Sequence, residues 1–85
     1  MDGDGRIMES KYLIFNHIED KPKTQVWEIL SKPDETDLGI VKWYAPWRQY
    51  CYFPNANTVF SRGCMQEIYN FLEKLMSERI QGDLE

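Results

Sequence analysis

The chain has 85 residues, two cysteines, one histidine and a formal charge of −4. A single domain of that length buries only about 60% of its extended surface, so bulky side chains must supply much of the core, and aromatic residues make up 14% of the chain. The acidic balance argues against a generic nucleic-acid binder, two cysteines are too few for a disulfide-stapled secreted scaffold, and no apolar run approaches the roughly 18–20 residues of a membrane span.

Residues 1–9 (MDGDGRIME) mix glycine and charge without a period and are expected to be a flexible leader. Asp2-Gly3-Asp4-Gly5 looks like the start of a calcium loop, but the later acidic ligands are missing at the needed spacing. A first strand is expected over 11–18, where Tyr12, Leu13, Ile14 and Phe15 form a short apolar run. The polar turn 19–23 leads to a second strand over 24–30. Its period of two groups Gln25, Trp27 and Ile29 against Val26, Glu28 and Leu30. Neither set is clean, so periodicity leaves the inward face of this strand open.

The loop 32–37 carries acids, a proline and no apolar residue. After it, residues 38–54 (LGIVKWYAPWRQYCYFP) hold three Tyr, two Trp and one Phe, with Lys42 and Arg48 as their only charges. Two runs rich in β-branched and aromatic residues, 38–44 and 48–53, flank Ala45-Pro46-Trp47, and Pro46 suits the first central position of a turn. The stretch is read as a tight β-hairpin. Either turn register puts Gly39, Val41, Trp43, Arg48, Tyr50 and Tyr52 on one face. It puts Leu38, Ile40, Lys42, Tyr44, Trp47, Gln49, Cys51 and Phe53 on the other. The first set has its only charge at the turn end and is expected to face the core. The second is expected to stay open, interleaved with Lys42.

Pro54 and the segment 54–57 should stop the strand, with Thr58-Val59-Phe60 as a short extended piece. Ser61 is a good N-cap, and Cys64, Ile68, Phe71, Leu72 and Leu75, with Met65 and Met76 beside them, make the stripe of an amphipathic helix ending near Gly82. The expected fold is therefore α+β: an antiparallel meander sheet of three to four strands with one C-terminal helix packed on one face. It is expected as one domain over 10–81, with a tail over 82–85.

Few residue patterns offer chemistry. Cys51 and His17 could serve as thiol and base only if they met beside an orienting group. Cys51, Cys64 and His17 lack the spacing of a metal site. The acids Asp34, Glu35 and Asp37 lie in a polar loop with nothing apolar to shift them. Neither a catalytic residue nor a metal or other cofactor is expected. Trp, Tyr and Arg do dominate interface hot spots. Ile40, Lys42, Tyr44, Trp47, Arg48 and Phe53 are therefore the candidate partner-binding residues, for a protein partner or a second copy of the chain. The alternative is single-stranded nucleic acid or a nucleotide, stacked on the rings with Lys42 and Arg48 meeting phosphate. The whole chain carries −4 and the stretch 38–54 carries +2, so the other 68 residues carry −6. That leaves two cations as the whole of a phosphate track.

The run Trp43-Tyr44-Ala45-Pro46-Trp47-Arg48-Gln49-Tyr50-Cys51-Tyr52-Phe53-Pro54, followed by Thr58-Val59-Phe60 and Cys64, resembles small proteins of unknown function found in phage and prophage genomes. The resemblance covers roughly residues 38–75 and carries the pattern W-Y-x-P-W-R-x-Y-x-x-F-P. It implies a phage or prophage origin and action in a bacterial cytoplasm, and it brings no catalytic residues. Together these readings lead to the expectation of a non-enzymatic binding protein.

Overall fold

The computed structural model describes residues 7–82, with side chains described through Glu78. Strands β1 (Ile7–Glu9), β2 (Leu13–Asp20), β3 (Gln25–Ser31), β4 (Asp37–Tyr44) and β5 (Gln49–Pro54) precede helix α1 (Arg62–Gly82). The strands form one sheet in the order β1-β2-β3-β4-β5, each antiparallel to its neighbour. This is the expected α+β meander with its C-terminal helix, and it has one strand more than expected. The extra strand comes from residues read as leader: Ile7, Met8 and Glu9 pair with Asn16, Phe15 and Ile14. Met8 packs on the core, which supplies the apolar anchor that glycine and charge alone would not. The rest of the expected leader, 1–6, and the tail residues 83–85 lie outside the described residues.

The helix stripe lands where its period places it. Ser61 Oγ accepts the N–H of Cys64 at 3.1 Å, and the Ser61 carbonyl accepts that of Met65 at 3.0 Å, so Ser61 caps the first turn. Ile68, Phe71 and Leu75 are buried, with Cys64, Leu72 and Met76 packed beside them. Met65 falls off the stripe and is exposed. On the sheet side the core takes Leu13 and Phe15 from β2, Trp27 and Ile29 from β3, Val41 from β4 and Tyr50 from β5. The tie in β3 is thus broken in favour of Trp27 and Ile29. Trp27 meets the Phe71 ring edge-on at 5.0 Å, and its Nε1–H donates to Gln25 Oε1 at 2.9 Å, so the indole is buried with its polar atom satisfied.

Within the two hairpin strands, one residue leaves its expected face. Leu38 was placed with the open set, yet it is buried in the core cluster. The cause is a register shift between β3 and β4, where Ile29 pairs with Gly39 but Leu30 pairs with Asp37. The extra residue of this β-bulge is Leu38, and a one-residue slip sends a side chain to the opposite face. The bulge is pinned from several sides. The Leu38 carbonyl accepts the Tyr52 hydroxyl at 2.8 Å and the Asn55 N–H at 2.9 Å, while Asp37 Oδ1 accepts the Gly39 N–H at 3.1 Å.

Tyr52 gives this corner a pH signature. Burial pushes its phenol from 10.0 up to about 12, and the negative charges of Asp37 and Cys64 act in the same direction. A folded-state value above the unfolded one means the contribution is fully present below pH 10 and is lost as pH rises through 12. Wild-type stability is therefore expected to fall across that interval more steeply than that of Tyr52→Phe. The phenolate absorbance titration of Tyr52→Phe should lack a step near pH 12. Identical alkaline limbs in the two proteins would refute this.

The expected extended piece at 58–60 forms no strand. Asn57 takes a left-handed conformation (φ 63°), Val59 is exposed, and Phe60 turns back to lie edge-on to Tyr52 at 5.6 Å. At the other end of the sheet, Glu67 of α1 ties the β1–β2 turn to the helix. Its Oε1 accepts the Tyr12 N–H at 3.1 Å and the Ser10 hydroxyl.

Candidate functional site

The helix covers one face of the sheet, and among the described residues no second layer covers the other. Alternation along β4 and β5 puts Ile40, Lys42 and Tyr44 beside Phe53, Cys51 and Gln49, through the pairs Ile40–Phe53, Lys42–Cys51 and Tyr44–Gln49. The division of the hairpin is the expected one: Val41 and Tyr50 are buried under the helix, Trp43 and Tyr52 pack beside them, and Ile40, Tyr44 and Phe53 lie on the other side.

The connection is longer than a two-residue turn. Ala45–Trp47 form a 3₁₀ turn, with Pro46 fixing its start, and Arg48 closes it in a left-handed conformation (φ 54°, ψ 48°), its N–H donating to the Ala45 carbonyl at 3.0 Å. This moves Arg48 off the strand alternation that grouped it with the core set, and it is exposed. Trp47 is 66% exposed and meets Tyr44 edge-on, with centroids 5.0 Å apart. Tyr44 in turn meets Phe53 edge-on at 5.9 Å, and Lys42 Nζ stands 5.0 Å from the centre of the Phe53 ring. Edge-to-face pairing and a cation over a ring each hold side chains in fixed relation. The six residues singled out in the sequence therefore divide into two groups. Ile40, Lys42, Tyr44 and Phe53 form one connected patch, Trp47 extends it over the turn, and Arg48 stands beyond it.

The face is wider than the hairpin. One cross-strand row runs Ile7, Asn16, Glu28, Ile40, Phe53 over all five strands, and a second joins Glu9, Ile14, Leu30 and Asp37. Sequence reasoning missed Glu28 and Leu30 because it left the inward face of β3 open, and Ile14 because the continuous apolar run Tyr12 to Phe15 shows no alternation. The usable signal was Glu28 itself: a carboxylate in mid-strand belongs on the wet side. Glu28 accepts a hydrogen bond from Asn16 Nδ2 at 3.3 Å.

The other chemical candidates do not converge. His17 is buried on the helix side, its Nε2 2.9 Å from Asp20 Oδ1 and its ring edge-on to Trp27 at 5.1 Å. Cys51 lies on the open face, while Cys64 packs against the core beneath the helix. The sheet itself thus separates Cys51 from both His17 and Cys64, and both thiols are free. Among the described residues, no helix is long and apolar enough to cross a membrane.

Fold and face together define the class: a small α+β protein whose meander sheet is helix-covered on one side and bears an aromatic patch on the other. Over 76 residues the chain is 32% identical to the "Uncharacterized 9.3 kDa protein" of Acholeplasma phage L2, a match covering 88% of this chain and 97% of that protein. The chain belongs to the family of that small phage protein. A match of this length includes β2 and β3 as well as the stretch 38–75, so the kinship extends beyond the hairpin. No family model matches the chain, and no solved structure matches it.

Proposed function

We propose that this phage-family protein is a non-enzymatic binding protein, acting in the bacterial cytoplasm, that engages a protein partner through its open sheet face. The observation carrying this reading is the connected patch of Ile40, Lys42, Tyr44, Trp47 and Phe53 on a face the helix leaves bare. Large aromatic side chains bring roughly 150–250 Å² of buriable surface each. A cluster of them beside a cation has the composition of an interface centre. The single-stranded nucleic-acid alternative draws on the same rings with Lys42 and Arg48. The acid Glu28 in the central row, and the engagement of Lys42 with Phe53, weigh toward a protein partner.

Trp47 makes the cleanest test because its exposure means truncation leaves the core untouched. A hot-spot tryptophan is worth about 2 kcal/mol or more, about thirtyfold in affinity. Capture from an infected-cell lysate with wild type and Trp47→Ala side by side should lose a specific protein in the variant. Equal recovery of every protein would end the reading. Tryptophan fluorescence titrated with an oligonucleotide at two salt concentrations is expected to show no salt-sensitive response. A response that weakens steeply with salt would move the assignment to nucleic acid.

A further inference from the structure

The distribution of charge on the open face identifies its occupant more closely, given the binding-face reading above. Glu28 on β3 is directly opposite Ile40, and Lys42 lies two residues further along β4 on the same face. The acid and the cation are thus diagonal neighbours on adjacent central strands, too far along the strand to be a directly opposed pair. Among the described residues, Glu28 accepts from the Asn16 amide and Lys42 stands over the Phe53 ring. A two-fold operation exchanges the two positions: wherever Lys42 of one copy meets Glu28 of another, the reciprocal pair forms as well. The aliphatic residues Ile7, Ile14, Leu30 and Ile40 share these rows with Glu9, which pairs with Lys32, and Asp37, and they supply the apolar part of the face.

Two further features favour face-to-face over edge-to-edge association. The outer edge of β5 is partly blocked. The Tyr50 N–H points away from β4 and donates to Met76 Sδ at 3.4 Å, Tyr52 shares that outward direction, and Pro54, next in the alternation, has no N–H to offer. The opposite edge strand, β1, is three residues long, which is a common way of blunting a sheet edge. Five strands of three to eight residues, about 4.8 Å apart, give a footprint on the order of 500 Å² before side-chain relief, below the roughly 800 Å² per partner of a standard interface.

We propose that the partner on the open face is a second copy of this chain, packed sheet to sheet about a two-fold axis that sets Lys42 of each copy against Glu28 of the other. The assembly is then a four-layer helix–sheet–sheet–helix particle.

Charge exchange tests the pairing. Wild-type protein should shift from monomer to dimer with concentration in sedimentation velocity. Lys42→Glu and Glu28→Lys should each weaken that shift about tenfold or more, since each homodimer would then hold two like-charge contacts. An equimolar mixture of the two variants should recover wild-type association, because both reciprocal contacts become complementary again. Unchanged far-UV circular dichroism and thermal midpoints in both variants separate lost association from lost fold. A wild type that stays monomeric at the highest concentration, or a mixture that fails to recover, overturns the proposal. If the wild type is monomeric while Trp47→Ala still loses a captured protein, the second-copy inference falls and the binding-face reading stands. If it is monomeric and Trp47→Ala loses nothing, both fall.

Discussion

Gly39→Ala is expected to cost about 3–5 kcal/mol, the sum of a strained backbone and an overpacked site. Gly39 sits at φ +150°, a conformation L side chains rarely adopt. A Cβ there would lie 2.4 Å from the Phe53 carbonyl oxygen and 2.8 Å from Pro54 Cα. Both are backbone atoms of the paired strand, so relief requires β4 and β5 to separate. That separation would also disturb the Leu38 carbonyl, which holds Tyr52 and Asn55. A domain of this size has only about 4–13 kcal/mol of total stability, so the variant should melt at least about 15 °C lower or fail to fold. Gly63→Ala is the matched control. Its Cβ would meet Tyr12 Cε2 at 2.9 Å, the far part of an exposed ring that can swing aside. In addition, alanine is the better helix former in the first turn of α1. That variant should stay within about 0.5 kcal/mol of wild type. Equal melting of the two variants would show that the bulge does not depend on glycine.

Truncating Phe71 should remove a comparable amount by a different route. Its ring stacks on Phe15 at 4.3 Å with planes 13° apart, and meets Trp27 edge-on at 5.0 Å. It is thus the side chain through which the helix grips both β2 and β3. Phe71→Ala leaves a cavity lined by two large rings that cannot collapse to fill it, at a cost of about 3–5 kcal/mol. Phe71→Leu keeps much of the volume and should lose markedly less. Urea unfolding of the two variants measures both. A loss under about 1 kcal/mol for the alanine variant would mean the helix is held chiefly by its other contacts. The Glu67 bonds to Tyr12 and Ser10 are the next candidates.

These two sites differ in how far they could be read beforehand. Phe71 announces itself, because a stripe at i, i+3 and i+4 from Cys64 to Leu75 has one helical solution and one inward face. The hairpin is almost as legible. Strict alternation around Pro46 separates Val41 and Tyr50 from Ile40 and Phe53, whichever residues form the turn. Gly39 carries no such label. Its role follows from the bulge at Leu38, which in turn depends on how β3 lies against β4. No pattern within β4 alone carries that relation.

What the amino-acid order determined by itself, then, was local: the periods that make strands and a helix, the cap at Ser61, and the sorting of hairpin side chains onto two faces. Each depends on neighbours a few residues apart, where chain geometry leaves little choice. The tertiary structure decided what depends on distant partners. It drew Ile7–Glu9 into the sheet through Met8, turned Trp27 and Ile29 inward, rotated Leu38 into the core, and parted Cys51 from His17 with a layer of backbone. It also brought Glu28 into one row with Ile40 and Phe53. Such placements come from pairing between strands, whose register is set by the burial of all of them together rather than by any one segment.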